Sequence, residues 1–149
     1  MERNGIRIIR RVSDGPTFYA GDGAVLFGFI VDTSEPVFPR DLNELYNLVF
    51  SPLIETVEGL LPGCSYGGMS YLSSGDSTVS QASQFWYYDV LVFQGVIYLD
   101  VDSDLVNSLG VLPRRVSSVA RLSSRKVSVE DFVDEAVLRL GGETMGWPL

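Results

Sequence analysis

The chain has 149 residues, a formal net charge of −8, one cysteine and no histidine. Without histidine, the usual general base near neutral pH and the commonest transition-metal ligand are both missing. A lone cysteine excludes an intrachain disulfide and a cysteine-rich zinc site, so Cys64 reads as a small buried hydrophobe.

An apolar fraction of 46% against 20% charged residues places the chain among globular proteins, and its length suits one domain over residues 1–149. The longest apolar stretch, Ala24 to Val31, is interrupted at Gly28 and is too short for a membrane span of about 20 residues. No apolar h-region follows the first residues, so a soluble, cytoplasmic protein without a signal peptide is expected. Charge is bipolar along the chain. Arg3, Arg7, Arg10 and Arg11 open it, thirteen acids from Asp14 to Asp104 face only Arg40, and a second basic stretch follows.

Ile6 to Val12 is rich in β-branched residues and reads as a first strand. After the turn Ser13-Asp14-Gly15-Pro16, Thr17 to Ala20 and Ala24 to Val31 read as a hairpin around Gly21-Asp22-Gly23. Asp41 caps a helix with Glu44 reaching back, and Leu42, Leu45, Tyr46 and Val49 recur at helical spacing. Pro52 is costly inside a helix, so a break and a second helix, Pro52 to Leu61, are expected, forming a helical hairpin.

Cys64 to Gln84, rich in glycine and serine, reads as a long loop. Phe85 to Phe93, a turn at Gln94-Gly95 and Val96 to Val101 make an apolar hairpin whose first strand, greasy on both faces, needs cover on both. Its residues Phe85, Trp86, Tyr87 and Tyr88 are the candidate interface. Arg114 to Leu122 is a weaker strand. Ser128 and Asp131 then open a helix with Val129, Phe132, Val133, Ala136, Val137 and Leu140 on one stripe, ended by Gly141-Gly142 and followed by a tail with Trp147. The expected fold is α+β, a mostly antiparallel sheet of five or six strands with the helical hairpin and the C-terminal helix packed on it.

Gly63-Cys64-Ser65-Tyr66-Gly67 matches the G-x-S-x-G pattern, but a nucleophile elbow needs a preceding strand and a histidine base. Read on to Ser70, the segment resembles a phosphate loop whose lysine is Met69; backbone N–H groups at Gly67-Gly68 remain a candidate anion nest. Asp100, Asp102 and Asp104 alternate, so on a strand they would share a face fit for Mg²⁺ or Ca²⁺; the competing reading is a helix cap. Asp89, the acid within an apolar strand, is expected to pair with Arg7 or Arg10. Arg114, Arg115, Arg121, Arg125 and Lys126 are the candidate nucleic-acid-binding set.

These motifs specify no catalytic constellation and no family. The leading expectation is a non-enzymatic interaction protein, a homo-oligomer of the accessory type found among viral proteins, with a protein partner, no cofactor and no membrane contact. A nucleic-acid-binding protein using the arginines is the first alternative. A divalent-cation-dependent enzyme built on the three aspartates is the second.

Overall fold

The computed structural model describes residues 2–3, 5–11, 15–34, 36, 38–39, 41–66, 71–110 and 112–141. The fold is α+β, as the sequence implies. Five antiparallel strands form one sheet in the order β3-β7-β6-β5-β4: β3 (Ala24–Asp32), β4 (Ser65–Tyr66), β5 (Tyr71–Ser74), β6 (Ser77–Tyr87) and β7 (Val90–Tyr98). A separate ribbon pairs β1 (Glu2–Arg3) with β2 (Ile6–Arg7). The helices are α1 (Leu42–Leu60), α2 (Ser103–Ser108), α3 (Val119–Ser123) and α4 (Val129–Arg139).

The first face of the sheet packs on α1 and α4 through one cluster that includes Tyr46, Phe50, Val57, Leu91, Phe93, Ile97 and Phe132. Phe93 lies at its centre, with Tyr46 edge-on at 4.6 Å and Phe50 at 5.5 Å between ring centroids. Five buried residues, Val96, Tyr98, Val101, Val106 and Val116, form a smaller cluster with Phe18, Tyr19 and Leu112 against it. Because β7 alternates, Val96 and Tyr98 belong to the second face, beneath residues 18–19 and the region of α2.

Several expectations are corrected. Helix α1 runs unbroken through Pro52, so there is no helical hairpin. Tyr46 and Phe50 before the proline and Leu53 and Val57 after it are buried in one core, and together they outweigh the roughly 3 kcal/mol that an interior proline costs. Pro52 has no N–H for the Leu48 carbonyl, and one residue earlier Ser51 Oγ donates to the Asn47 carbonyl at 2.5 Å.

The segment 64–84 is mostly strand in its described part, not loop. Ser73 and Ser74 lie in β5 and Ser77, Ser80, Gln81, Ser83 and Gln84 in β6, where backbone pairing on both sides of β6 matters more than side-chain propensity. Gln94-Gly95 is not a turn. β7 passes straight through it, and the hairpin turns at Tyr88-Asp89 instead. Gly95 stands inside the strand because a Cβ there would collide with the ring of Phe27 opposite.

Residues 17–20 are not a strand, although the turn at Gly21 to Gly23 forms and Gly23, at φ +76°, accepts the N–H groups of Leu99 and Asp100 at 3.0 Å each. Residues 114–122 make one parallel bridge, Thr78 to Val116, and then enter α3, capped by Ser118. On α4 the buried stripe narrows to Phe132 and Ala136, with Val129, Val133 and Leu140 exposed. Asp41 and Ser128 cap α1 and α4 as read. The glycines at 67–68 and the tail beyond Gly141 lie outside the described residues.

Candidate functional site

Direct neighbours in an antiparallel pair carry their side chains on the same face. The register therefore builds the second face row by row. Leu26, Val96, Gln81 and Tyr71 form one row; Gly28, Gln94 and Ser83 form the next. Residues 15–20 cross above these rows without joining the sheet. Gly15, at φ +103°, presses so close to Ser83 that a Cβ would clash with it. Tyr19 donates its N–H to the buried Tyr98 hydroxyl at 3.4 Å.

Arg11 fastens this crossing. Its guanidinium donates to Ser83 Oγ at 2.7 Å and to the Pro16 carbonyl at 2.6 Å, and lies 4.3 Å from the centre of the Phe18 ring. Partial burial lowers its pKa, the direction expected of a cation that has lost hydration, and an anion placed beside it would restore that balance. Between the 6–11 arm and the crossing residues opens a groove of about 590 Å³. Ile6, Ile8, Ile9, Phe18 and Leu112 give it apolar walls, and Arg7, Arg10 and Arg11 give it positive charge.

Leu112 is shared with a second hollow of about 490 Å³, which also holds Arg114, Arg115 and Asn107. Asn107 fixes this segment: Nδ2 donates to the carbonyls of Ser103 and Val116 at 2.6 and 2.8 Å, and Oδ1 accepts from Val116 N–H at 2.9 Å. Thr78 N–H adds a bond to the Arg115 carbonyl at 2.9 Å. Arg114 is thereby held over Tyr71, its guanidinium carbon 4.5 Å from the ring centre.

The second basic stretch is consequently divided. Arg114 and Arg115 line the hollow that shares Leu112 with the groove, together with Asp104. Arg121 pairs with Asp104 at 3.0 Å, and Arg125 and Lys126 line a separate hollow with Asp100 and Asp102. The three aspartates do not converge. Asp102 caps α2 by accepting from the N–H groups of Asp104 and Leu105, and among the described residues no three His, Cys, Asp or Glu side chains gather to hold a metal ion. Asp89 is exposed at the β6–β7 turn rather than paired with Arg7 or Arg10, and its carbonyl accepts from Thr33 N–H and Oγ1 at 2.8 Å each. Trp86, Tyr87 and Tyr88 are exposed and Phe85 is half-buried on that hairpin.

Sequence reasoning missed Arg11, Phe18, Tyr71 and Gln81 as a group. Four arginines beside an isoleucine run were visible; the strand register that gathers the rest was not.

Burial pushes the Tyr98 and Tyr66 phenols up to about 12 and, with the Glu58 charge adding to it, the Cys64 thiol up to about 11. The folded chain holds these protons to higher pH than the unfolded chain, whose groups titrate near 10 and 9. Stability is therefore complete below about pH 9 and is lost as pH rises toward 12. With no histidine to titrate, the melting temperature followed by circular dichroism should be flat from about pH 6 to 8.5 and then fall. A melting temperature unchanged between about pH 8 and 11 would count against this burial.

The family model of the lipoyl protein ligase A/B catalytic domain matches residues 1–140. The chain belongs to this family. It is 24% identical over 140 residues to lipoate–protein ligase 1 of Staphylococcus aureus, covering 91% of this chain and 40% of that protein. A T. acidophilum protein solved with bound lipoic acid superposes with a TM-score of 0.75 at 15% identity, and a lipoate-protein ligase A solved with ATP with 0.74 at 15%. Each of these superpositions covers 92% of this chain and 58% of the solved one. The chain thus spans about two-fifths of the length of its curated relative. Membership overturns the expectation of a non-enzymatic, viral-type accessory protein, because the matched domain is a catalytic one. Among the described residues no helix is long and apolar enough to cross a membrane.

Proposed function

We propose that this chain is the acid-binding catalytic domain of a lipoate-ligase-type enzyme, which activates an apolar-tailed carboxylic acid with ATP for transfer to an amine on a protein acceptor. The observation that carries this reading is the groove itself. It joins apolar walls to three arginines, matching a ligand with a greasy tail and a carboxylate head. The relatives' names, which couple lipoate, ATP and ligation, support the same reaction class.

In such a reaction a carboxylate oxygen bonds to the α-phosphorus of ATP as the bond to the β-phosphate bridge breaks and pyrophosphate leaves. The acceptor amine then attacks the acyl carbon and AMP departs. Lys126, the one lysine of the chain, lines hollows away from the groove, so arginines supply the positive charge. Arg11 is suited to orient the carboxylate, and Arg114 and Arg115, across Leu112, to meet the phosphates. The test is exchange of labelled pyrophosphate into ATP by the purified chain. Exchange that depends on lipoate supports the proposal; exchange at background whether or not lipoate is present contradicts it.

A further inference from the structure

We propose that Gln81 is the specificity residue of this site, receiving a planar part of the ligand that presents an N–H donor beside an acceptor. That edge is common to an aminopurine and a cyclic ureide. The inference rests on the function proposed above and extends it to a residue on the sheet face that residues 15–20 cross.

Gln81 is 0% exposed, yet among the described residues neither its Oε1 nor its Nε2 has a hydrogen-bond partner. Leaving a buried polar atom unpaired is costly, so native structures hold few such atoms and each calls for a physical explanation. Position supplies one here. In its row Gln81 lies beside Tyr71, the ring that carries the Arg114 guanidinium. Two residues along β6, roughly 7 Å away, Ser83 accepts from Arg11. Gln81 therefore stands on this sheet face beside Tyr71 and Ser83, the residues that Arg114 and Arg11 contact. Residues 15–20, which cross this face with Gly15 against Ser83 and Tyr19 bonded to the Tyr98 hydroxyl, have no strand pairing, so they can separate from the sheet without breaking a ladder.

The two vacant atoms also select the ligand's chemistry. A carboxylate, which only accepts, would satisfy Nε2 and leave Oε1 unpaired; a hydrocarbon or dithiolane tail would satisfy neither. A donor–acceptor edge satisfies both at once, as when glutamine pairs with the N6/N7 edge of adenine.

The experiment compares the wild-type chain with Gln81→Met and Gln81→Glu, measuring melting temperature and calorimetric titrations with ATP, biotin and lipoate. Titration with ATP probes the purine source of the edge and titration with biotin the ureide source. Gln81→Met, which removes both unpaired atoms, should melt at or above the wild-type temperature. It should bind whichever of ATP or biotin the wild type prefers at least ~10-fold more weakly, with lipoate affinity unchanged. Gln81→Glu, similar in size but without the donor, should lose that ligand as well, so the inference stays open to test if the methionine variant fails to fold. A wild type that binds neither ATP nor biotin, or variants that keep wild-type affinity for both, overturns the inference. A wild type that fails to bind lipoate overturns the proposed function instead, while the other two titrations still judge Gln81.

Discussion

Phe93→Ala is expected to destabilise the fold by about 3–5 kcal/mol, lowering the melting temperature by on the order of 10 °C. Phe93 is 0% exposed on β7, the strand bonded to both β3 and β6. Its ring meets Tyr46 edge-on and Phe50 nearly perpendicular, at 4.6 and 5.5 Å, and so couples the sheet to α1. Alanine removes the buried area and leaves a cavity that the flanking aromatics, held by α1, fill only in part. Ile30→Ala is the internal comparison: Ile30 is 79% exposed on β3 and its truncation should cost under about 0.5 kcal/mol. Denaturant unfolding of the two variants checks the contrast. Equal losses would mean that the α1–sheet core does not carry the stability assigned to it.

Features settled by local chemistry were legible in the sequence. Asp41 and Ser128 cap their helices because a short polar side chain before an apolar-periodic run has few better uses, and Gly23 turns the chain where a positive φ is required. Features settled by distant neighbours were not. Pro52 argues locally for a helix end, and only the core on both sides of it keeps α1 whole. Ser80, Gln81 and Ser83 look like loop residues until β5 and β7 are seen to flank them. Gly95 looks like a turn until Phe27 is seen opposite.

The candidate site divides in the same way. An N-terminal arginine cluster beside isoleucines was readable as charge, but its partners Ser83 and Phe18 come from elsewhere in the chain. The basic stretch at 114–126 looked like one surface. Asn107, Tyr71 and Asp104 distribute it to separate places. Asp100, Asp102 and Asp104 suggested a shared strand face; α2 begins at Ser103, and a helix start has its own use for Asp102.

Arg11→Met is expected to weaken lipoate binding by about 10-fold to 100-fold, the range of a charge-assisted, two-pronged hydrogen bond to a carboxylate. Two of the guanidinium's five N–H groups are engaged, by Ser83 and Pro16, which sets the fork in place while leaving donors for a ligand. Loss of those two bonds also loosens the crossing at residues 15–20, so affinity for an acid alone would mix charge recognition with shape. Lipoamide, the neutral counterpart of lipoate, separates the two: it occupies the same apolar walls without a carboxylate.

Paired calorimetric titrations of wild type and Arg11→Met with lipoate and lipoamide test the central claim most directly, that an apolar-tailed acid is held with its head at Arg11. The predicted result is a wild type that favours lipoate by at least ~10-fold and a variant that binds the two alike. A variant that keeps the full preference for lipoate, or a wild type with none, would contradict it.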